Sequence, residues 1–188
     1  MDGISPIAAR RALAVSVITM VLCIMLGIAA WIRRGHLYDE QILAAAGHDV
    51  PPGLVASMIW KESRFDPGAL GNAGEIGLMQ VTEGAAADWA RANRIESFDP
   101  SLLWHPATNI TVGTWYFARA VHFWDERRCS DPFPFALAEY NAGRENAQKW
   151  FELSGPDADA FIEAVEFSTT RDYIRDILAR YRQQKRKG

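Results

Sequence analysis

Leu54-Val55-Ala56-Ser57-Met58-Ile59-Trp60-Lys61-Glu62-Ser63 repeats its apolar residues every three or four positions, the period of an α-helix. Asp49-Val50-Pro51-Pro52 ahead of it is a helix start, because proline is tolerated in a first turn. Asp66-Pro67 behind it is a stop, because the residue before a proline resists the helical conformation. Leu54, Met58 and Glu62 fall four apart, and Val55 and Ile59 border the same face. A carboxyl group therefore stands in line with an apolar stripe. Loss of water raises the pKa of such a group and keeps it protonated near neutral pH, the state a general acid needs. A Glu at a helix end can equally reach out to water or pair with Arg64. Periodicity leaves both readings open.

Downstream, Gly71-Asn72-Ala73-Gly74-Glu75-Ile76-Gly77 is a loop by composition. Its glycines permit close approach of the backbone to a ligand, or simply build a surface loop. Leu78-Met79-Gln80 follows. Met suits the apolar face of a sugar, and Gln suits hydroxyl or amide groups. The pattern then predicts helices over 85–93, 107–127, 134–143 and 145–153, and a last one from about Thr169 that buries Tyr173, Ile174, Ile177, Leu178 and Tyr181. Tyr140-Asn141 sits at a helix end beside Gly143. Both side chains can hydrogen-bond a sugar, yet a helix cap and a core tyrosine account for them equally. Tyr173 reads in the same two ways. Long alternating strand patterns are absent, so the body from 36 to 188 is mainly α. Asn109-Ile110-Thr111 matches a glycosylation sequon inside a predicted helix and carries no weight.

The chain has 188 residues, 49% of them apolar, with 7 Trp, 9 Phe and 5 Tyr. That supports a packed core and argues against disorder. Formal net charge is -3, with basic pairs at Arg10-Arg11 and Arg33-Arg34, a basic end from Arg180 onward and an acidic body between. An acidic body excludes a nucleic-acid groove. Residues 12–32 hold 21 positions without a charge, which at about 1.5 Å per residue matches a bilayer core of about 30 Å. Residues 1–35 are thus either a transmembrane anchor into the cytoplasmic membrane or a signal segment cleaved near Gly27-Ile28-Ala29-Ala30. Cys23 and Cys129 give no expected disulfide. Met20-Val21-Leu22 lacks the small residue that a lipoprotein cysteine wants before it. The four histidines show no metal spacing and no G-x-S-x-G elbow occurs.

The order of these signals resembles the soluble-type lytic transglycosylases, a goose-lysozyme-like family. The resemblance rests on Glu62-Ser63, Gly77-Leu78-Met79-Gln80, Ala138-Glu139-Tyr140-Asn141-Ala142-Gly143 and Tyr173. Asn109-Ile110 with Gly113 and Tyr116, and Phe161-Ile162-Glu163 ahead of Thr170-Arg171-Asp172-Tyr173, add to it. Glu75, Glu83, Glu139, Val165-Glu166 and Thr169-Thr170 depart from the family's usual residues. The resemblance implies a lysozyme-like helical fold, peptidoglycan glycan strands as substrate and no metal or cofactor. It maps the acid/base onto Glu62 and places Ser63 beside it. Met79, Gln80, Tyr140, Asn141 and Tyr173 would line the cleft.

Ordinary glycosidases use two carboxylates, and the matched motifs hold one clear candidate. The resemblance therefore implies lyase-type cleavage, with the substrate's own C6 hydroxyl as nucleophile and a 1,6-anhydro-N-acetylmuramic acid end as product. Two rivals stand beside it. A goose-type lysozyme would need a second carboxylate to activate water, and Glu75 is the candidate. A wall-binding scaffold of a secretion or conjugation machine would keep the fold without the chemistry. A murein substrate places the body in the periplasm. The sequence identifies no protein partner.

Overall fold

The computed structural model describes residues 15–27, 36–47 and 49–186. The chain divides between Tyr38 and Asp39 into two units. In the first, residues 15–27 form helix α1, whose side chains are exposed. Among the described residues no helix is long and apolar enough to cross a membrane. The remainder of the expected span, residues 12–14 and 28–32, lies outside the described residues.

The second unit is helical: α2 (Asp39–Ala45), α3 (Pro52–Ser63), α4 (Glu83–Ala92), a 3-10 turn (Pro100–Trp104), α5 (Pro106–Asp125), α6 (Pro132–Ala142), α7 (Arg144–Ser154), α8 (Ala158–Ala164) and α9 (Ser168–Lys185). The mainly α class agrees with the sequence pattern. Short polar caps start several elements. Thr82 accepts the Ala85 amide at 3.1 Å, Asp131 the Phe133 amide at 3.0 Å and Asp157 the Ala160 amide at 2.8 Å. Helix α3 ends as Asp66-Pro67 requires, on Arg64 in the left-handed conformation. The sequence pattern passes over α2, the 3-10 turn and α8. Helix α2 buries only Ile42 and α8 only Phe161, too little for a period to show.

Helix α5 is the central element, burying Ile110, Val112, Phe117, Val121 and Trp124. Helix α6 packs on it and is buried from Pro134 to Glu139. Trp124, Phe135 and Phe161 form an aromatic centre, with the Phe135 and Phe161 rings 4.0 Å apart. Helix α9 runs antiparallel to α3. Tyr173 meets Glu62 at one end, while Gly53 lies against Tyr181 and Gln184 at the other. Tyr181, expected in the core, is half-buried.

Only Gly143 separates α6 from α7, at φ 84 and ψ 155, a shape that side chains other than glycine's resist. Glu139 locks this corner. Its Oε1 accepts from Arg144 Nε at 2.9 Å and Nη2 at 2.7 Å, and its Oε2 accepts from Trp124 Nε1 at 2.9 Å. A buried carboxylate with three donors is satisfied.

The loop between α3 and α4 has no regular ladder, only single bridges Leu70–Ile76 and Ile76–Val81. Its turns satisfy part of its backbone; the Met79 amide needs a partner from elsewhere, and Asn109 on α5 supplies it. The Asn109 Nδ2 donates to Ile76 O at 2.8 Å and Leu103 O at 2.9 Å, while its Oδ1 accepts from Met79 N at 2.8 Å. The sequon asparagine is thus buried, 1% exposed, and holds a loop in place. Gly77 allows the contact, since a Cβ there would fall 2.6 Å from Asn109 Nδ2. Asn109→Ala leaves the buried Met79 amide and Leu103 carbonyl without this partner, each worth about 1–3 kcal/mol, while Ile76 O keeps the Val81 amide at 2.9 Å. We expect urea denaturation to show a loss of at least about 2 kcal/mol.

Candidate active site

Glu62 is in the last turn of α3, half-buried, where Leu54 and Met58 below it are wholly buried. Tyr173 of α9, 3% exposed, donates its hydroxyl to Glu62 Oε1 at 2.5 Å. Burial is the largest influence on this carboxyl and raises its pKa from 4.5 to about 7. The Tyr173 hydrogen bond pulls it down, the charge of Glu75 pushes it up, and Lys61 pulls it down slightly. Lys61 itself is held by Asp176 at 2.6 Å. Tyr140 is a second phenol in the electrostatic reach of Glu62. Burial first and the Glu62 charge second push its pKa well above the ordinary value. Tyr173 is raised in the same way, for the same leading reasons. Both tyrosines stay neutral and act as hydrogen-bonding groups.

With Tyr173 donating to Oε1, the proton of neutral Glu62 belongs on Oε2. That oxygen is the one able to hand a proton to a ligand.

The other expected residues surround this pair in distinct ways. Ser63 donates to Leu78 O at 2.9 Å, with Ile59 O the alternative acceptor at 3.2 Å, tying the end of α3 to the Gly-Leu-Met-Gln turn. Met79 is wholly buried, with its thioether against Gly113 and Thr114. Its burial keeps that side chain from the sugar face that the residue type suggests for it. What Met79 offers the site is its carbonyl, which accepts the Tyr140 hydroxyl at 2.8 Å. Gln80 is half-buried at φ 49, and its Nε2 donates to Gly77 O at 2.9 Å and Ala69 O at 3.3 Å. Its carbonyl oxygen is left for another donor. Asn141 is exposed at the end of α6, where its Oδ1 accepts from Thr170 Oγ1 at 2.7 Å. Its NH₂ donates to nothing among the described residues.

The structure therefore joins Glu62 directly to Tyr173 and sets Tyr140 and Glu75 within electrostatic reach. Ser63 and Met79 hold the frame. Sequence reasoning counted Asn109 and Thr170 toward the resemblance but gave neither a role; both are buried polar residues. A polar residue on the apolar face of a helix was the signal available for Asn109.

The profile of the family described as "Transglycosylase SLT domain" matches residues 41–160. The soluble lytic murein transglycosylase of Escherichia coli K12 is 31% identical over 137 residues, covering 71% of this chain and 20% of that protein. The membrane-bound lytic murein transglycosylase F of Desulfosudis oleivorans is 32% identical over 142 residues, covering 71% of this chain and 29% of that protein. The crystal structure of the 70 kDa soluble lytic transglycosylase of E. coli superposes with a TM-score of 0.68 at 29% identity, over 77% of this chain and 23% of that one. The chain thus spans between a fifth and a third of the length of these relatives.

The raised pKa has a measurable consequence. The unfolded chain releases the Glu62 proton near 4.5 and the folded one near 7. Stability from this group is therefore present below about 4.5 and lost as pH rises to about 7. Above that, folding carries a desolvated charge at a cost on the order of 2–3 kcal/mol. Glu62→Gln should thus be more stable than the parent at pH 8 by roughly that amount and nearly equal to it at pH 4. Denaturation at the two pH values tests this, and equal differences would show that Glu62 is not desolvated. In Tyr173→Phe the carboxyl loses a hydrogen bond to its charged form, so its pKa, followed by carbon NMR, should rise further.

Proposed function

We propose, for a chain that belongs to the family of transglycosylase SLT domains, that residues 36–188 are a catalytic domain that cleaves peptidoglycan. The bond is the β-1,4 link between N-acetylmuramic acid and N-acetylglucosamine. The observation that carries this reading is the Glu62 carboxyl, held at about 7 by burial and gripped on one oxygen by Tyr173.

In the first step Glu62 Oε2–H protonates the bridging oxygen, and the bond from C1 of the muramyl sugar to that oxygen breaks. The electron pair leaves with the N-acetylglucosamine, and the muramyl N-acetyl group stabilises the cationic centre. In the second step ionised Glu62 takes the proton from the C6 hydroxyl of the same sugar, and O6 closes on C1. The acid is regenerated and a 1,6-anhydro ring is formed. Tethered groups reach effective molarities of about 10⁵–10⁸ M, against about 55 M for bulk water, so the internal hydroxyl outcompetes solvent. The Gln80 carbonyl, the Asn141 NH₂ and the lone pairs of Tyr140 hold the sugar, with Ser63 and Met79 setting their positions. No step calls for a metal or cofactor.

Murein lies outside the cytoplasmic membrane, so the domain works in the bacterial envelope. Relatives are named both soluble and membrane-bound. The apolar run 12–32 supports an anchor in the inner membrane over a cleaved signal segment, because its length matches a bilayer core.

Purified protein acting on murein sacculi should release muropeptides one water lighter than the reducing forms. Reducing ends would move the protein to the lysozymes, with Glu75 as the group that activates water. Glu62→Gln should lower the clearing rate by at least about 10²-fold, the scale of general acid catalysis. The alkaline limb of the pH–rate profile should fall near 7, where the acid loses its proton. N-terminal sequencing of mature protein should find an uncleaved start; a start near Ala30 would show a signal segment.

A further inference from the structure

Trp60 and Arg64 stand one turn apart at the end of α3, and Arg180 reaches the same indole from α9. The guanidinium carbon of Arg64 lies 3.3 Å from the ring centroid and that of Arg180 4.4 Å. Neither arginine makes an ion pair among the described residues, and nearby Asp176 is already bound to Lys61. Two donors in the cluster are covered and unmatched, Trp60 Nε1 and Arg180 Nε. Burial and the Arg64 charge both push the Arg180 pKa below its ordinary value.

Buried donors without acceptors are few in folded proteins. Like charges crowded on one ring gain less from the ring than from a carboxylate. Planar guanidinium forks match carboxylates two bonds at a time. Positions 60 and 62 of a helix point about 200° apart, so the cluster is distinct from the Glu62–Tyr173 pair.

We propose that Trp60, Arg64 and Arg180 form a carboxylate site that takes the peptide stems branching from the glycan strand. The choice of ligand rests on the peptidoglycan reading above. A five-residue stem spans about 17 Å when extended, and a helix with its side chains is about 10–12 Å across. A strand lying at Glu62 can therefore deliver a stem carboxylate around α3. Arg64 is the exposed member and Arg180 the half-buried one. When the Arg64 fork turns to a carboxylate it uncovers the indole, so the Trp60 N–H reports occupancy. Half-buried, planar and narrow, the cluster suits a stem better than the broad face of a lipid headgroup layer.

The test is a titration of the whole chain followed by NMR of indole N–H signals, with the Trp60 signal assigned by its loss in Trp60→Phe. A synthetic muramyl peptide with free carboxylates should shift that signal, and the same peptide with its carboxylates amidated should not. Arg64→Gln should weaken binding about tenfold, the scale of one charged hydrogen bond. Arg180→Lys, which keeps a charge against the indole, guards against a fold defect and should weaken binding by less than Arg64→Gln. No shift with either peptide overturns the proposal. An equal shift with the amidated peptide overturns its electrostatic basis, and a shift with anionic vesicles alone assigns the cluster to lipid. The titration reads no bond cleavage. A chain that binds the stem but does not clear sacculi would refute the cleavage reading and keep the site; the reverse result would do the opposite.

Discussion

The hydrogen bond from Tyr173 to Glu62 joins residues 111 positions apart, and the site is assembled by it. Helix α3 lies near the start of the second unit and α9 ends it, running antiparallel. The carboxyl is desolvated only when both helices and the loop bearing Glu75 have come together. An acid near 7 is therefore a property of the finished fold, not of α3 alone. Burial that raises a carboxyl's pKa also weakens the folded state at neutral pH. Tyr173 moderates that penalty, because a hydrogen bond to the charged form favours it.

The loop between α3 and α4 must pass close to Glu62 without backbone ladders of its own. Its own turns and single bridges make part of its backbone bonds, and side chains from neighbouring helices make others. Asn109 takes Ile76 O and Met79 N, and Leu103 O of the 3-10 turn besides; Ser63 takes Leu78 O and Tyr140 takes Met79 O. This explains the residue types around the Gly-Leu-Met-Gln turn in physical terms. Met79 fills the space over Gly113, where any Cβ would fall 2.7 Å from its sulfur. Much of what reads as a substrate-binding motif is a packing constraint that fixes where Gln80 and Tyr140 stand.

These roles set the limits of what the sequence discloses. Helices α3, α5 and α9 were legible because each carries a long apolar face, and Glu62 was legible because it extends one. Helix α2 and α8 bury one side chain apiece, so no period marks them. Asn109 reads as a sequon of no weight and a match to the family, with no role of its own until the loop it serves is in view. Met79 reads as a ligand contact because nothing local says that Gly113 lies beneath it. Glu139 reads as a departure from the family, whereas it anchors the corner that carries Asn141 through Arg144 and Trp124. Each miss concerns a partner 15 or more positions away or across a helix junction, which periodicity does not register.

One carboxyl serving as acid and then as base meets a constraint that paired carboxylates escape. With two groups, one can be raised and the other lowered, each suited to its step. A single group must hold its proton before bond cleavage and reclaim one after it, so its pKa has to lie near the working pH. The value of about 7 for Glu62 meets that condition. Glu75 contributes from a distance. Its carboxylate is engaged at Oε2 by the Ala73 amide at 3.1 Å, and its charge raises the basicity of Glu62. On the proposed mechanism, a neighbour that makes Glu62 a better base would favour removal of the C6 proton, the step on which ring closure depends. The same charge would oppose a second anion forming beside it. The arrangement therefore supports one acid–base carboxyl tuned by its surroundings over two that divide the work.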